Sequence, residues 1–210
     1  MRITLAVLIL FAASWSVRLR GDASDRVLTI DHSVTLRSTV PAIAGQHAQL
    51  YVRERVLAGA ALRRSSPPDR VVLFVHGAGT PAEVAFDVPY QDYSWMAYLA
   101  RAGYDVFSVD MTGYARSTRP AGMSDPCNLA RDRQAGFAPA PCGPSHPHAM
   151  TTIASDWDDI AAAVDHIRQL RRVDRVNLVA WSLGGPRASG YALRHPEKVQ
   201  ALNISAVLRL

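Results

Sequence analysis

Val176-Asn177-Leu178-Val179-Ala180-Trp181-Ser182-Leu183-Gly184-Gly185-Pro186 is the stretch that decides how this 210-residue chain is read. Its first half, Val176 to Ala180, is apolar and rich in strand formers. Its second half turns abruptly to small residues, and a helix is expected from there to about His195, with Pro186 tolerated in the first turn. A serine hydroxyl is a weak nucleophile unless it is well presented and a base takes its proton. A sharp strand-to-helix turn lifts the side chain above the sheet edge. That turn needs small neighbours two residues before and after the serine, here Ala180 and Gly184, with Gly185 adding room. It also gathers backbone N–H groups at a helix N-terminus, where negative charge is stabilised. Ser182 is therefore the candidate nucleophile.

The flanking sequence supplies a sheet for such a turn. Val71 to Val75 (VVLFV) is an unbroken apolar run, as suits a strand buried on both faces. It ends in His76-Gly77-Ala78-Gly79. Ser94 is a fair N-cap for a helix through Ala102, closed by Gly103. Asp105 to Val109 is the next short strand and runs into Asp110-Met111-Thr112-Gly113-Tyr114. Ser155 is read as opening a long helix, with Asp158 in capping-box position. Trp157, Ile160, Ala161, Val164, Ile167 and Leu170 keep helical spacing along it. Asp156, Asp158 and Asp159 fall in its first turn, where the helix dipole favours acids. Val199 to Ile204 reads as a last strand. Upstream, Val34 to Val40 and Leu50 to Val56 alternate and form an expected hairpin around Gly45. Strands alternating with helices imply an α/β fold, a mostly parallel sheet flanked by helices.

The pattern A-x-S-x-G-G after a buried strand resembles the nucleophile elbow of the α/β-hydrolase superfamily, with Ala180 where the family commonly has Gly. His76-Gly77-Ala78-Gly79 is similar to the family's oxyanion loop. Asp110 to Ser117 looks like its D-x-x-G-x-G-x-S segment, with Ala115 where Gly is usual. Together these cover about Val71 to Ile204. The resemblance implies roles residue by residue. Ser182 attacks a carbonyl carbon. The backbone N–H groups of Leu183 and Ala78 hold the oxyanion. Trp181 lines the pocket, while His76, Gly77 and Gly184 support the loops. A serine, rather than an aspartate, implies acyl transfer on an ester, thioester, lactone or peptide-like bond, and argues against relatives that open epoxides or haloalkanes. No cofactor is implied.

Composition is that of an ordinary globular protein, 49% hydrophobic and 20% charged,. The net charge of +5 comes almost wholly from scattered arginines, which gives no footprint for nucleic acid,. The partner expected is a small acyl substrate, and the oligomeric state stays open. Arg2 followed by the apolar run Ile3 to Ala13 reads as an export signal over residues 1–16, too short to span a bilayer comfortably. An uncleaved membrane anchor is the second reading of that segment. Residues 17–33 read as a polar linker, and 34–210 as an incomplete hydrolase domain. A Pro-rich stretch at about 117–148 reads as a loop or small cap over the site. It carries both cysteines, Cys127 and Cys142. An exported chain permits a disulfide between them.

The base is what the sequence does not supply. The family's order is Ser, then Asp or Glu, then His. Downstream of Ser182 only Glu197 and His195 qualify, and both sit in a helix-to-strand connection expected far from the serine. His76 is expected to hold its own loop. His146 and His148 lack metal-ligand partners at suitable spacing, and no metal is expected. His166 falls on a polar helix face, and His32 and His47 fall in the hairpin region. The resulting expectation is an exported serine hydrolase seen as a truncated product, poorly soluble and nearly inactive. A catalytically dead hydrolase fold that binds an apolar ligand or a partner, and a remnant of a shortened gene, stand beside it.

Overall fold

A computed structural model of the chain describes residues 23–63 and 65–205. The export signal and the terminal segment 206–210 lie outside the described residues. Six strands form one sheet in the order β1-β2-β4-β3-β5-β6. They are β1 (Val27–Arg37), β2 (His47–Leu57), β3 (Val71–Val75), β4 (Asp105–Val109), β5 (Val176–Trp181) and β6 (Val199–Ser205). β4, β3, β5 and β6 run parallel, while β2 is antiparallel to both β1 and β4.

The hairpin forms, but it starts earlier than the alternation suggested. β1 occupies residues 27–33 of the expected linker and pairs all along β2, from Val27 opposite Leu57 to Arg37 opposite His47. The error has a physical origin. Asp31, His32 and Ser33 look like linker residues, yet Asp31 faces Arg53 across the pair and His32 Nε2 lies 2.8 Å from Glu54 Oε2. Cross-strand partners make a polar edge strand stable where propensity alone does not.

Five α-helices complete the described fold. They are α1 (Ala58–Ala61), α2 (Ala82–Phe86), α3 (Trp95–Arg101), α4 (Ile153–Arg171) and α5 (Gly184–Arg194). Ser94 caps α3 as expected, its hydroxyl accepting from Ala97 N at 2.9 Å. The cap of α4 differs from the expectation. Thr152 is the N-cap and Ser155 the third helical residue, and their side chains bond each other's backbone N–H reciprocally. Ser155 therefore closes the capping box rather than opening it.

Because side chains alternate across a strand, β3 feeds two cores. Val71, Leu73 and Val75 pack with Ile160, Val164 and Ile167 of α4 and Tyr191 of α5. Val72 and Phe74 pack with Phe86, Met96 and Ala100 on the other face. An ion network lies at the amino ends of the parallel strands. Arg171 pairs there with Glu54, and its Nε lies 3.3 Å from Asp105 Oδ2, all three groups buried. The carboxyl ends of β3, β4 and β5 lie at the opposite edge, where the candidate residues gather.

Candidate active site

At the carboxyl end of β5 the chain enters α5 within a few residues, and Ser182 sits between them at φ 56°. A non-glycine residue pays for this left-handed conformation with strain of about 1–3 kcal/mol, which the surrounding structure must impose. Two glycines make that possible. A Cβ on Gly184 would stand 2.3 Å from the carbonyl oxygen of Val75, and one on Gly77 would stand 2.8 Å from Ser182 Cβ and 3.2 Å from Ser182 Oγ. The two backbones thus approach as only glycine allows. β3 and β5 are held at this edge by their own pairing, with Val75 opposite Ala180.

Gly77 comes directly to Ser182, with His76 and Ala78 on either side of it in the chain. Among the described residues, neither the Ala78 nor the Leu183 backbone N–H has a protein acceptor. Both are thus available to a ligand. His76 is fully buried, and both of its nitrogens are engaged. Nδ1 donates to Gly77 O at 2.7 Å and Nε2 accepts from Met111 N at 3.1 Å. Burial lowers its pKa to about 4, and the nearby Arg187 charge adds to this, so the ring is neutral at ordinary pH. His76 therefore ties β3 to β4 and is not a base.

The Asp110–Ser117 segment buttresses the same loop. Asp110 Oδ1 accepts from Ala82 N at 2.8 Å, which ties the start of α2 to the end of β4. Ser117 Oγ donates to Asp110 O and accepts from Tyr51 N. Tyr114 stacks edge-on to His76, and its hydroxyl accepts from Gly79 N at 3.3 Å. Ala115 takes φ 32°, the left-handed conformation that glycine would adopt without strain,.

The acids at the start of α4 have tertiary partners, which a dipole reading does not foresee. Asp159 accepts from Thr112 N and Thr112 Oγ1, and burial raises its pKa to about 6. Asp158 accepts from Thr39 Oγ1 at 2.6 Å. Asp156 Oδ2 accepts from Arg187 Nε at 2.7 Å. Reading the sequence for chemistry passed over Arg187. Its signal is there, however: an arginine in the buried stripe that Gly184, Ala188 and Tyr191 mark on α5.

Trp181 is partly exposed and, with Thr80, Val84, Ala85, Phe86 and Trp95, borders an open apolar depression of about 200 Å³. His195 and Glu197 lie past the far end of α5. An 11-residue helix separates them from the serine end, about 16 Å along the axis,. His146 and His148 lie in the Pro-rich segment, and His166 packs edge-on to His32. No histidine among the described residues bonds Ser182, and no group of His, Cys, Asp or Glu among them could hold a metal ion. Cys127 and Cys142 are joined in a disulfide. No described helix is long and apolar enough to cross a membrane.

The comparisons with known proteins agree with this architecture. Solved structures align over most of the chain. A probable hydrolytic enzyme from Pseudomonas aeruginosa aligns over 85% of it at TM-score 0.54 and 19% identity, and 42% of that protein is covered. A candidate lipase from Sulfolobus solfataricus aligns over 84% at TM-score 0.50 and 16% identity, with 44% of it covered. A laboratory-evolved variant of potato epoxide hydrolase aligns over 83% at TM-score 0.50 and 19% identity, with 39% of it covered. The chain thus spans less than half the length of these proteins, and at such identities the likeness is one of fold. No curated protein matches it in sequence. The family model for the alpha/beta hydrolase fold matches residues 70–207, from the approach to β3 to just past β6, and so takes in every loop gathered around Ser182. On that match, and on the sheet that carries it, the chain belongs to the α/β hydrolase fold family.

Proposed function

We propose that this chain carries the nucleophile half of a serine hydrolase, and that Ser182 attacks an ester, thioester, lactone or peptide-like carbonyl to form an acyl-enzyme. One observation carries the reading: Ser182 is held at φ 56° over a glycine contact, beside the unbonded N–H groups of Ala78 and Leu183. As the carbonyl carbon becomes tetrahedral, its oxygen gains negative charge. Two preorganised donors lower the energy of that state more than that of the planar carbonyl. The hydroxyl nucleophile favours acyl transfer over the chemistry in the name of the potato neighbour. The apolar depression beside Trp181 suits an apolar portion of the substrate.

Deprotonation is the unmet requirement. His76 is neutral and fully engaged, and no other described histidine bonds the serine. The 210 residues alone are therefore expected to react with a fluorophosphonate but to turn over esters only at a residual rate. Mass spectrometry after such labelling tests the reading. A single adduct on Ser182, absent in Ser182→Ala, supports it. A well-folded protein that takes no label favours a hydrolase fold used for binding. We also propose export, a setting in which the Cys127–Cys142 disulfide persists,. N-terminal sequencing of protein secreted by an expressing cell tests this, since an intact Met1 in the cytosolic fraction contradicts it.

A further inference from the structure

The Arg187–Asp156 pair belongs to neither the turn at Ser182 nor the loop after β3, yet Arg187 bonds both, through its guanidinium to His76 O and Gly77 O and through its backbone N–H to Leu183 O. Arg187 is 4% exposed and Asp156 is 3% exposed, so neither charge is solvated. The Arg187 guanidinium is used completely on one side. Nε donates to Asp156 Oδ2 at 2.7 Å, and Nη1 donates to His76 O and to Gly77 O, each at 3.0 Å. Gly77 O takes a second bond, from His76 Nδ1.

This matters because a trans peptide is planar. The C=O of one residue and the N–H of the next point in opposite directions. No cis peptide occurs among the described residues. Fixing Gly77 O on Arg187 and His76 therefore fixes the Ala78 N–H in the opposite direction, away from the protein interior. The peptide concerned lies against the nucleophile, since a Cβ on Gly77 would be 3.2 Å from Ser182 Oγ. The N–H so aimed is left without a protein acceptor among the described residues. Arginine suits the task because its planar fork reaches the carboxylate and the two carbonyls at once, which a lysine ammonium does with less directional control.

We propose that Arg187, held by Asp156, is a positioning residue that aims the Ala78 N–H at the oxyanion formed on Ser182. The inference rests on the reading of Ser182 as nucleophile. It makes α4 and α5 part of the oxyanion machinery through Asp156 and Arg187.

The test uses the 210-residue chain and a fluorophosphonate, whose phosphoryl oxygen needs the same donors. Three variants are compared with the parent: Arg187→Met, Arg187→Lys and Arg171→Met. The last removes a buried guanidinium from the ion network at the far edge of the sheet and controls for lost stability. Two readouts are taken on folded protein, the second-order rate of Ser182 labelling and the amide resonances of Gly77 and Ala78. Arg187→Met is expected to slow labelling about 10- to 100-fold, the range for misplacing a catalytic group. Arg187→Lys is expected to fall between it and the parent. Arg171→Met is expected to stay within about twofold of the parent, because it contacts no group at the nucleophile edge. The Gly77 and Ala78 amides should move in Arg187→Met and stay in place in Arg171→Met. If Arg187→Met does not fold, Arg187→Met/Asp156→Leu removes both buried charges and takes the same readouts. Unlabelled parent protein contradicts the nucleophile reading, and the Ala78 amide then decides the clamp alone. With a labelled parent, slow labelling in Arg187→Met together with a shifted Ala78 amide supports the proposal. Either effect without the other, or equal slowing in Arg171→Met, overturns it.

Discussion

The elbow around Ser182 and the Pro-rich segment at 117–148 flank the same end of the sheet but are held by opposite means. The elbow is fixed by what is absent. Gly77 and Gly184 lack the Cβ atoms that would strike Ser182 and Val75 O, and strand pairing forces the backbones together. The Pro-rich segment is fixed by what is present. Three short 3-10 turns, Ala121–Ser124, Pro126–Asn128 and Arg131–Arg133, are joined by side-chain bridges and one disulfide. Gln134 is the hub, its amide donating to the carbonyls of Leu129 and Cys142 while its oxygen accepts from Cys142 N. Arg119 anchors the segment to the site by donating to Gly113 O at 2.7 Å. Close backbone packing leaves almost no residue choice, whereas a bridged loop admits many solutions.

If that contrast holds, Gly184→Ala gives the largest effect. Its methyl meets a backbone carbonyl that cannot rotate away, so a loss of about 4 kcal/mol is expected, or failure to fold. Denaturant titration measures it, and a loss under about 1 kcal/mol would falsify the idea that backbone contact fixes the elbow. Next comes the disulfide. Cys127→Ser/Cys142→Ser should cost about 3 kcal/mol in the chain-entropy model while leaving Ser182 labelling within about twofold. A collapse of labelling would show that the segment shapes the site as well as covering its neighbourhood.

An effect of pH sharpens the comparison from the elbow side. Asp159, which holds Thr112 beside the site, has a folded pKa of about 6 against 3.8 for the ordinary group. The native state then binds the proton more tightly than the unfolded chain. Its contribution is full below about pH 4 and is lost as pH rises through 6, on the order of 3 kcal/mol. Unfolding followed from pH 4 to 7 should show this decline, and Asp159→Asn should flatten it. The smallest effect is expected from Ser182→Gly. Relieving the positive φ should stabilise the fold by about 1 kcal/mol while removing the Ser182 hydroxyl and with it the expected labelling. An unchanged thermal midpoint would mean that the elbow imposes no strain.

Legibility followed the same division. The buried strands Val71–Val75 and Asp105–Val109 and the loops that follow them were readable, because continuous apolar runs and small residues at turns have few other uses. β1 was misplaced over 27–33, because its polar residues are stabilised by partners on β2 that no local pattern reveals. Ser155 was misread as a cap, since Thr152 is as good a capping residue and only the hydrogen bonds distinguish them. Ala115 stands at φ 32° where the family usually has Gly, and the surrounding bonds of Asp110 and Ser117 hold the turn.

The sequence by itself determined the buried strands from β3 onward, the long helices between them and the sharp turn at Ser182, because each rests on local sterics and hydrophobic periodicity. Tertiary structure alone decided what the acids of α4 do. Asp156 sits in the first turn of α4, where the dipole already accounts for it, whereas Asp158 and Asp159 fall beyond that turn because the helix starts at Ile153,. What sets Asp156 and Asp159 apart is their reach to Arg187 and Thr112, 31 and 47 residues away along the chain. A hydrogen bond across such a separation depends on how helices pack on a sheet, and no window of sequence contains that geometry.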